Sequence, residues 1–116
     1  MTTGTAPAPA QAADRRHARY QLHAEICKVL TDPKRLMLID GLRRGARSVG
    51  QLAEEAGLSL ANTSQHLAVL RHAGLVDTRR AGTSIHYRLS EPELVEACNV
   101  IERIVRRRLD GARDEA

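Results

Sequence analysis

Aromatic side chains are almost missing from this chain of 116 residues, which has two Tyr and neither Phe nor Trp. Unpaired bases are recognised by stacking on aromatic rings, so single-strand or RNA binding of that kind is disfavoured. Long apolar runs are missing too. No stretch approaches the roughly 20 consecutive apolar residues with which a helix crosses a bilayer. Residues 1–13 carry neither charge nor an apolar block. No secretory signal is expected, and the chain reads as cytoplasmic, with no membrane partner. The two cysteines, Cys27 and Cys98, lie far apart and form no paired framework, so reduced thiols are expected. Neither a strand-turn-helix nucleophile motif nor a Gly-rich phosphate loop occurs, and an enzyme is not expected.

The length suits one domain with one core, and a core of Leu, Ile, Val and Ala suits helices. Charge is unevenly placed. Residues 31–90 hold nine Lys or Arg against five Asp or Glu, whereas residues 91–116 hold five against seven. A basic middle fits a polyanionic partner without establishing one.

Small, uncharged, Pro-containing residues 1–13 read as a flexible arm, residues 14–109 as the folded domain, and residues 110–116 as a polar tail. Leu22, Ile26, Val29 and Leu30 fall on one face of a first helix over 14–30. Asp32 can cap a second helix, with Pro33 where a missing N–H costs nothing. That helix, expected to about residue 44, is apolar around much of its girth (Leu36, Met37, Leu38, Ile39, Leu42), which marks a central buried element. Ser48 and Gln51 form a capping box for a short third helix that sends Val49, Leu52, Ala53 and Ala56 inward. Gly57 ends it, and Ser59 caps a fourth helix to about residue 72, with Leu67 and Leu70 inside and Gly74 as the stop. The period then changes. Residues 75–80 and 84–89 flank a turn at Ala81-Gly82-Thr83, with Ile85, Tyr87 and Leu89 alternating against His86 and Arg88 as in a half-buried hairpin strand. Ser90 and Glu93 make a second capping box before a last helix to about residue 109. Its apolar positions are too many for one stripe, which points to burial against a second copy.

Two helices joined by a tight Gly turn and followed by a hairpin is the order of a winged helix-turn-helix. The fold class is therefore mainly α with a small β-hairpin wing, and its second helix enters the major groove of duplex DNA. That helix offers Asn62, Thr63, Ser64, Gln65 and His66 to base edges, although Thr63 and His66 fall where aliphatic residues are frequent. Gln or Asn pairs bidentately with adenine. Arg71, Arg79, Arg80, Arg88, Lys34 and Arg35 are phosphate-type contacts, with Thr83 at the wing turn. A solvated polar face would also account for the helix surface, but Arg79 and Arg80 ahead of the hairpin turn serve no evident packing purpose.

The runs LTDPKRLMLIDGL, SVGQLAEEAGLSLANTSQHLAVLRHAGLV and RRAGTSIHYRL resemble the ArsR/SmtB family of bacterial metal- and redox-responsive repressors. The resemblance covers about sixty residues in the right order. It implies a homodimer built from the first and last helices, and release from DNA when an effector binds.

The resemblance places a Cys-x-Cys metal pair where this chain has Ser48-Val49-Gly50. A second family site has Glu91 and Glu93 at its start but Ile104 and Arg107 where later ligands belong. A persulfide-sensing branch has a cysteine where Asp40 stands. Neither metal site survives, and no cofactor is required. His23 and Cys27, and Cys98 and Glu102, lie four apart on two helices that the family brings together. These four could hold a transition metal, or the two thiols could form a redox pair. Buried cysteines acting as small hydrophobes explain the same pattern. A winged helix used for protein interaction, or a regulator governed by a partner protein, is the alternative function. Salt discriminates: phosphate contacts weaken steeply as it rises, and an apolar interface does not.

Overall fold

The computed structural model describes residues 8–115. The elements run α1 (Pro9–Val29), α2 (Pro33–Gly41), β1 (Arg47–Ser48), α3 (Val49–Ala56), α4 (Leu60–His72), β2 (Val76–Ala81), β3 (Ser84–Leu89) and α5 (Leu94–Glu115). This is the expected order, with one extra strand.

Helix α1 starts earlier than the arm read from composition would allow. Pro9 occupies its first turn, Ala10, Ala12 and Ala13 are strong helix formers, and Gln11 Oε1 accepts the Ala8 N–H at 3.1 Å. The remainder of that arm, residues 1–7, lies outside the described residues. Helix α5 continues past residue 109 through the segment read as a polar tail. The capping box expected at its start does not set the boundary. The Ser90 hydroxyl turns to Asp77 Oδ2 at 3.4 Å, and the intervening residues make a tight turn before Leu94.

The internal boundaries follow local chemistry. Asp32 Oδ1 accepts the Lys34 N–H at 2.7 Å to open α2, and α2 ends at Gly41, sooner than its apolar pattern suggested. Ser48 and Gln51 close their reciprocal box around the start of α3. Gly57 then takes φ 67° and ψ 35°, a left-handed conformation that costs other residues about 1–2 kcal/mol. Its geometry turns the chain into α4, whose cap Ser59 accepts the Asn62 N–H at 3.0 Å.

The sheet order is β1-β3-β2. The hairpin pairs Val76 with Leu89 through to Ala81 with Ser84, leaving a two-residue turn in which Gly82 takes φ 65°, as tight hairpins demand of their first turn residue. The short β1 adds to the other edge of β3, pairing Arg47 with Tyr87 and Ser48 with His86.

The core is aliphatic. Leu38, Ile39 and Leu42 of α2 and its exit meet Leu52 and Ala53 of α3, Leu67 and Leu70 of α4, and Leu75 and Val76 at the hairpin entrance. Leu36 and Met37 are exposed instead, so α2 is buried on one side only. Ile26, Val29 and Leu30 from the end of α1, and Leu94 and Cys98 from the start of α5, pack on the core's margin. The rest of both long helices stands clear of it. The radius of gyration is 18.8 Å, against about 13–14 Å for a compact domain of this length.

Leu67 is fully buried between α2, α3 and the hairpin. Leu67→Ala should cost about 2–5 kcal/mol of stability, read as a lower urea midpoint with unchanged slope. A loss below 1 kcal/mol, on the order of a surface substitution, would refute this account of the core.

Candidate nucleic-acid interface

Helix α4 is divided by its own periodicity. Thr63, Leu67 and Leu70 lie on one stripe and are all fully buried, while Ala61, Ser64, Gln65 and Ala68 are exposed on the other side and Asn62 is half-buried. Ser64 and Gln65 are thus free to reach a partner. Thr63 is not. Its hydroxyl donates to the Ser59 carbonyl at 2.8 Å within α4, so the expectation that it reads bases is corrected. The hydroxyl satisfies itself on the preceding turn, and this lets a polar residue occupy an aliphatic position.

His66 and Arg35 also take roles other than those expected. His66 is half-buried, with Nδ1 3.5 Å from Arg35 Nη1. The Arg35 Nε–H donates to the Val29 carbonyl at 2.6 Å, and Nη1 lies 3.8 Å from Asp32 Oδ2. The guanidinium therefore ties the end of α1 to the start of α2 and to α4, in place of the phosphate contact expected of it. Lys34, one residue earlier, is exposed. Arg71 is exposed in the last turn of α4, about two turns beyond Ser64 and Gln65.

On the hairpin, Arg79 is paired with His86 and Arg80 with Ile85. Neighbours in a strand point to opposite faces. Arg80 shares the side of Tyr87 and Leu89, which pack on the core, but lies beyond it near the tip, where both arginines and Thr83 are exposed. Arg79 shares the other side with Asp77 and Arg88, whose Nε donates to Asp77 Oδ1 at 2.6 Å. Arg88 is thereby engaged within the sheet.

Two links had no local signal in the sequence. Arg47 of β1 pairs with Glu55 of α3. Arg43 donates to Asp40 Oδ1 at 2.8 Å and to Asn99 Oδ1 at 2.9 Å, fastening the exit of α2 to α5 across 56 positions.

Within one chain the residues expected to hold a metal do not come together. Among the described residues no group of three or more His, Cys, Asp or Glu could hold an ion, and α1 and α5 form no extensive contact within one chain. His23, Cys27 and Glu102 are exposed. Cys98 is half-buried, and that burial pushes its thiol up, with Arg43 opposing and Asp40 reinforcing the effect. A thiol held protonated is a poor metal ligand and nucleophile. The described residues of a single chain do not fit a metal.

A bacterial regulatory protein family, the arsR family, matches residues 32–78. An uncharacterised HTH-type transcriptional regulator of Mycobacterium tuberculosis is 38% identical over 89 residues, which cover 76% of this chain and 78% of that protein. The chain belongs to the ArsR family. A biofilm growth-associated repressor of Xylella fastidiosa is 41% identical over 78 residues, covering 67% of this chain and 68% of the relative. Among solved structures, the homodimeric winged helix-turn-helix DNA-binding domain of a possible ArsR-family regulator from Mycobacterium bovis superposes with a TM-score of 0.75. It is 27% identical and covers 95% of each chain. The matched family segment spans α2, β1, α3, α4 and the start of β2, and so includes Ser64 and Gln65 but stops short of the wing turn.

The ion pair between Asp77 and Arg88 on the wing is expected to weaken in acid. The Arg88 hydrogen bond holds the Asp77 carboxyl below the usual carboxylate range, with desolvation opposing it. Asp32 is lowered as well: desolvation acts upward there, but the Lys34 and Arg35 N–H groups and the nearby charges outweigh it. A carboxyl with a depressed folded-state pKa stabilises the fold above its unfolded value of about 3.9, and the contribution is lost as pH falls through the folded value. Asp77→Asn should therefore be slightly less stable than the parent at neutral pH, the pair being half-exposed. In acid the two melting temperatures should converge. A gap that stays constant into acid would refute this.

Proposed function

We propose that the chain is a sequence-specific, double-stranded DNA-binding transcriptional repressor that acts as a homodimer in the cytoplasm. One observation carries this reading: α4 is capped by Ser59, held from behind by Thr63, Leu67 and Leu70, and leaves Ser64 and Gln65 exposed. The side chains at the start of a recognition helix read base edges, and a Gln can pair bidentately with adenine. Arg79, Arg80 and Thr83 on the wing, with Lys34 and Arg71, supply donors for phosphate oxygens, which position the protein without specifying sequence. The relatives that are named as repressors support the direction of control.

The homodimer is supported by what one chain leaves uncovered. Ile101, Val105 and Leu109 on α5 and Tyr20 and Leu22 on α1 are 41–61% exposed. Accessible surface totals 8907 Å², well above the about 6,300 Å² expected of a compact monomer of 12.8 kDa. Pairing α1 and α5 with a second copy would bury that apolar surface. It would also set two recognition helices at successive major grooves, about 34–36 Å apart.

The test is fluorescence anisotropy of reduced, chelator-treated protein on a duplex from its own upstream region, at two salt concentrations. Tight binding that weakens steeply with salt, and is far weaker on a scrambled duplex, is expected. Gln65→Ala should cost about 1–3 kcal/mol on the operator and little on the scrambled duplex, whereas Thr63→Val should leave affinity unchanged because its side chain is internal. Salt-independent binding, equal on both duplexes, would overturn the reading in favour of a protein-interaction module. Ile101→Glu should shift the sedimentation profile from two chains toward one. A profile that does not move would place the dimer contact elsewhere.

A further inference from the structure

A groove of about 470 Å³ opens where three elements meet. The loop after α2 forms one wall, the end of β3 a second, and the turn into α5 the third. Its volume falls within the range of about 300–1,000 Å³ common for small-molecule sites. Leu42, Leu89 and Val95 give it an apolar lining, of which Leu42 is fully packed and the other two are half-buried.

Three arginines, Arg43, Arg44 and Arg88, and one acidic residue, Glu96, also line the groove. Two of the three are committed: Arg43 to Asp40 and Asn99, and Arg88 to Asp77. Arg44 has no ion-pair or hydrogen-bond partner among the described residues. The groove thus combines an apolar lining with one uncommitted fork of donors.

We propose that this groove is a regulatory site for a small organic carboxylate with an apolar body. A carboxylate matches the planar fork of Arg44 bidentately, and the body would cover Leu42, Leu89 and Val95. Each half of the ligand answers one feature. A bare inorganic anion leaves the apolar lining wet, a neutral apolar compound leaves Arg44 without a partner, and Glu96 repels further negative charge. Its position matters for control. The groove touches the base of the wing through Arg88 and Leu89 and the first turn of α5 through Val95 and Glu96, so an occupant bridges the DNA-facing hairpin and the helix offered to the second copy. The regulatory half rests on the repressor reading; binding itself does not.

The test uses the full-length protein and two probes, octanoate and phenylacetate, by isothermal titration calorimetry. Saturable binding of at least one probe, one per chain, is expected. Arg44→Gln, at an exposed position outside the DNA-facing surface, should weaken it about tenfold or more. Val95→Trp, checked for retained helicity, should abolish it by filling the groove. In anisotropy on the operator duplex, the bound probe should change the affinity of the parent protein and not that of Arg44→Gln. Four results would overturn the site: no saturable binding of either probe, equal binding to Arg44→Gln, equal binding of octanol, or equal binding of inorganic phosphate. Binding with no change in operator affinity would overturn its regulatory role. Failure of the parent protein to bind any duplex would instead overturn the repressor reading, with calorimetry still deciding the groove.

Discussion

The seating of α4 against α2 and α3 is the contact from which the rest of the structure follows. Leu67 and Leu70 meet Leu38, Ile39, Leu42 and Leu52 in a core with no aromatic ring in it. Branched aliphatic side chains pack tightly only in a narrow set of arrangements, so the rotation of α4 about its axis is fixed within the limits of that packing. Fixing the buried stripe fixes the exposed one. Ser64 and Gln65 point outward because Thr63 and Leu67 on either side of them point in.

Polar residues inside such a core are tolerated only when satisfied within it. Thr63 meets the condition by donating to the carbonyl four residues back. Arg35 meets it differently. Its long stem is largely covered, its side chain being 17% exposed, and its donors reach Val29, Asp32 and His66. Both were read from the sequence as surface groups because a hydroxyl and a guanidinium are ordinarily exposed. Residue type is a poor guide where a polar atom can be paired at short range.

Most of the scaffold was legible beforehand because its signals are local. Asp32, Ser48 with Gln51, Gly57 and Ser59 act on backbone groups within three residues, and each sits where its chemistry predicts. The change from helical to alternating periodicity located the hairpin for the same reason. Misjudged features depend on distance or on competition. Strand β1 exists only because β3 offers it an open edge. Ser90 had two partners to choose from and took Asp77 over its own helix. Helix α1 extends to Pro9 because alanines beside a proline nucleate a helix as readily as they fill a loose arm. At the candidate interface, Lys34, Ser64, Gln65, Arg71, Arg79, Arg80 and Thr83 are exposed as expected, Asn62 and His66 are half-buried, and Thr63, Arg35 and Arg88 are engaged within the fold.

Arg35 also bears on how the two ends of the molecule communicate. The Val29 carbonyl that accepts its Nε–H belongs to the last turn of α1, where backbone acceptors lack partners within the helix. The same guanidinium faces His66 in the middle of α4. One rigid group therefore spans the helix whose outer surface is left uncovered and the helix that carries Ser64 and Gln65. On the far side of the domain, Arg43 makes a comparable tie from the exit of α2 to Asn99 of α5. Both long helices are thus hydrogen-bonded, by single arginines, to the two ends of α2, and α2 is the element against which α4 is packed. Among these elements α2 is thus the one to which α1, α4 and α5 are all joined. The short α2, buried on one side only, is both a wall of the core and the tie between the long helices and α4.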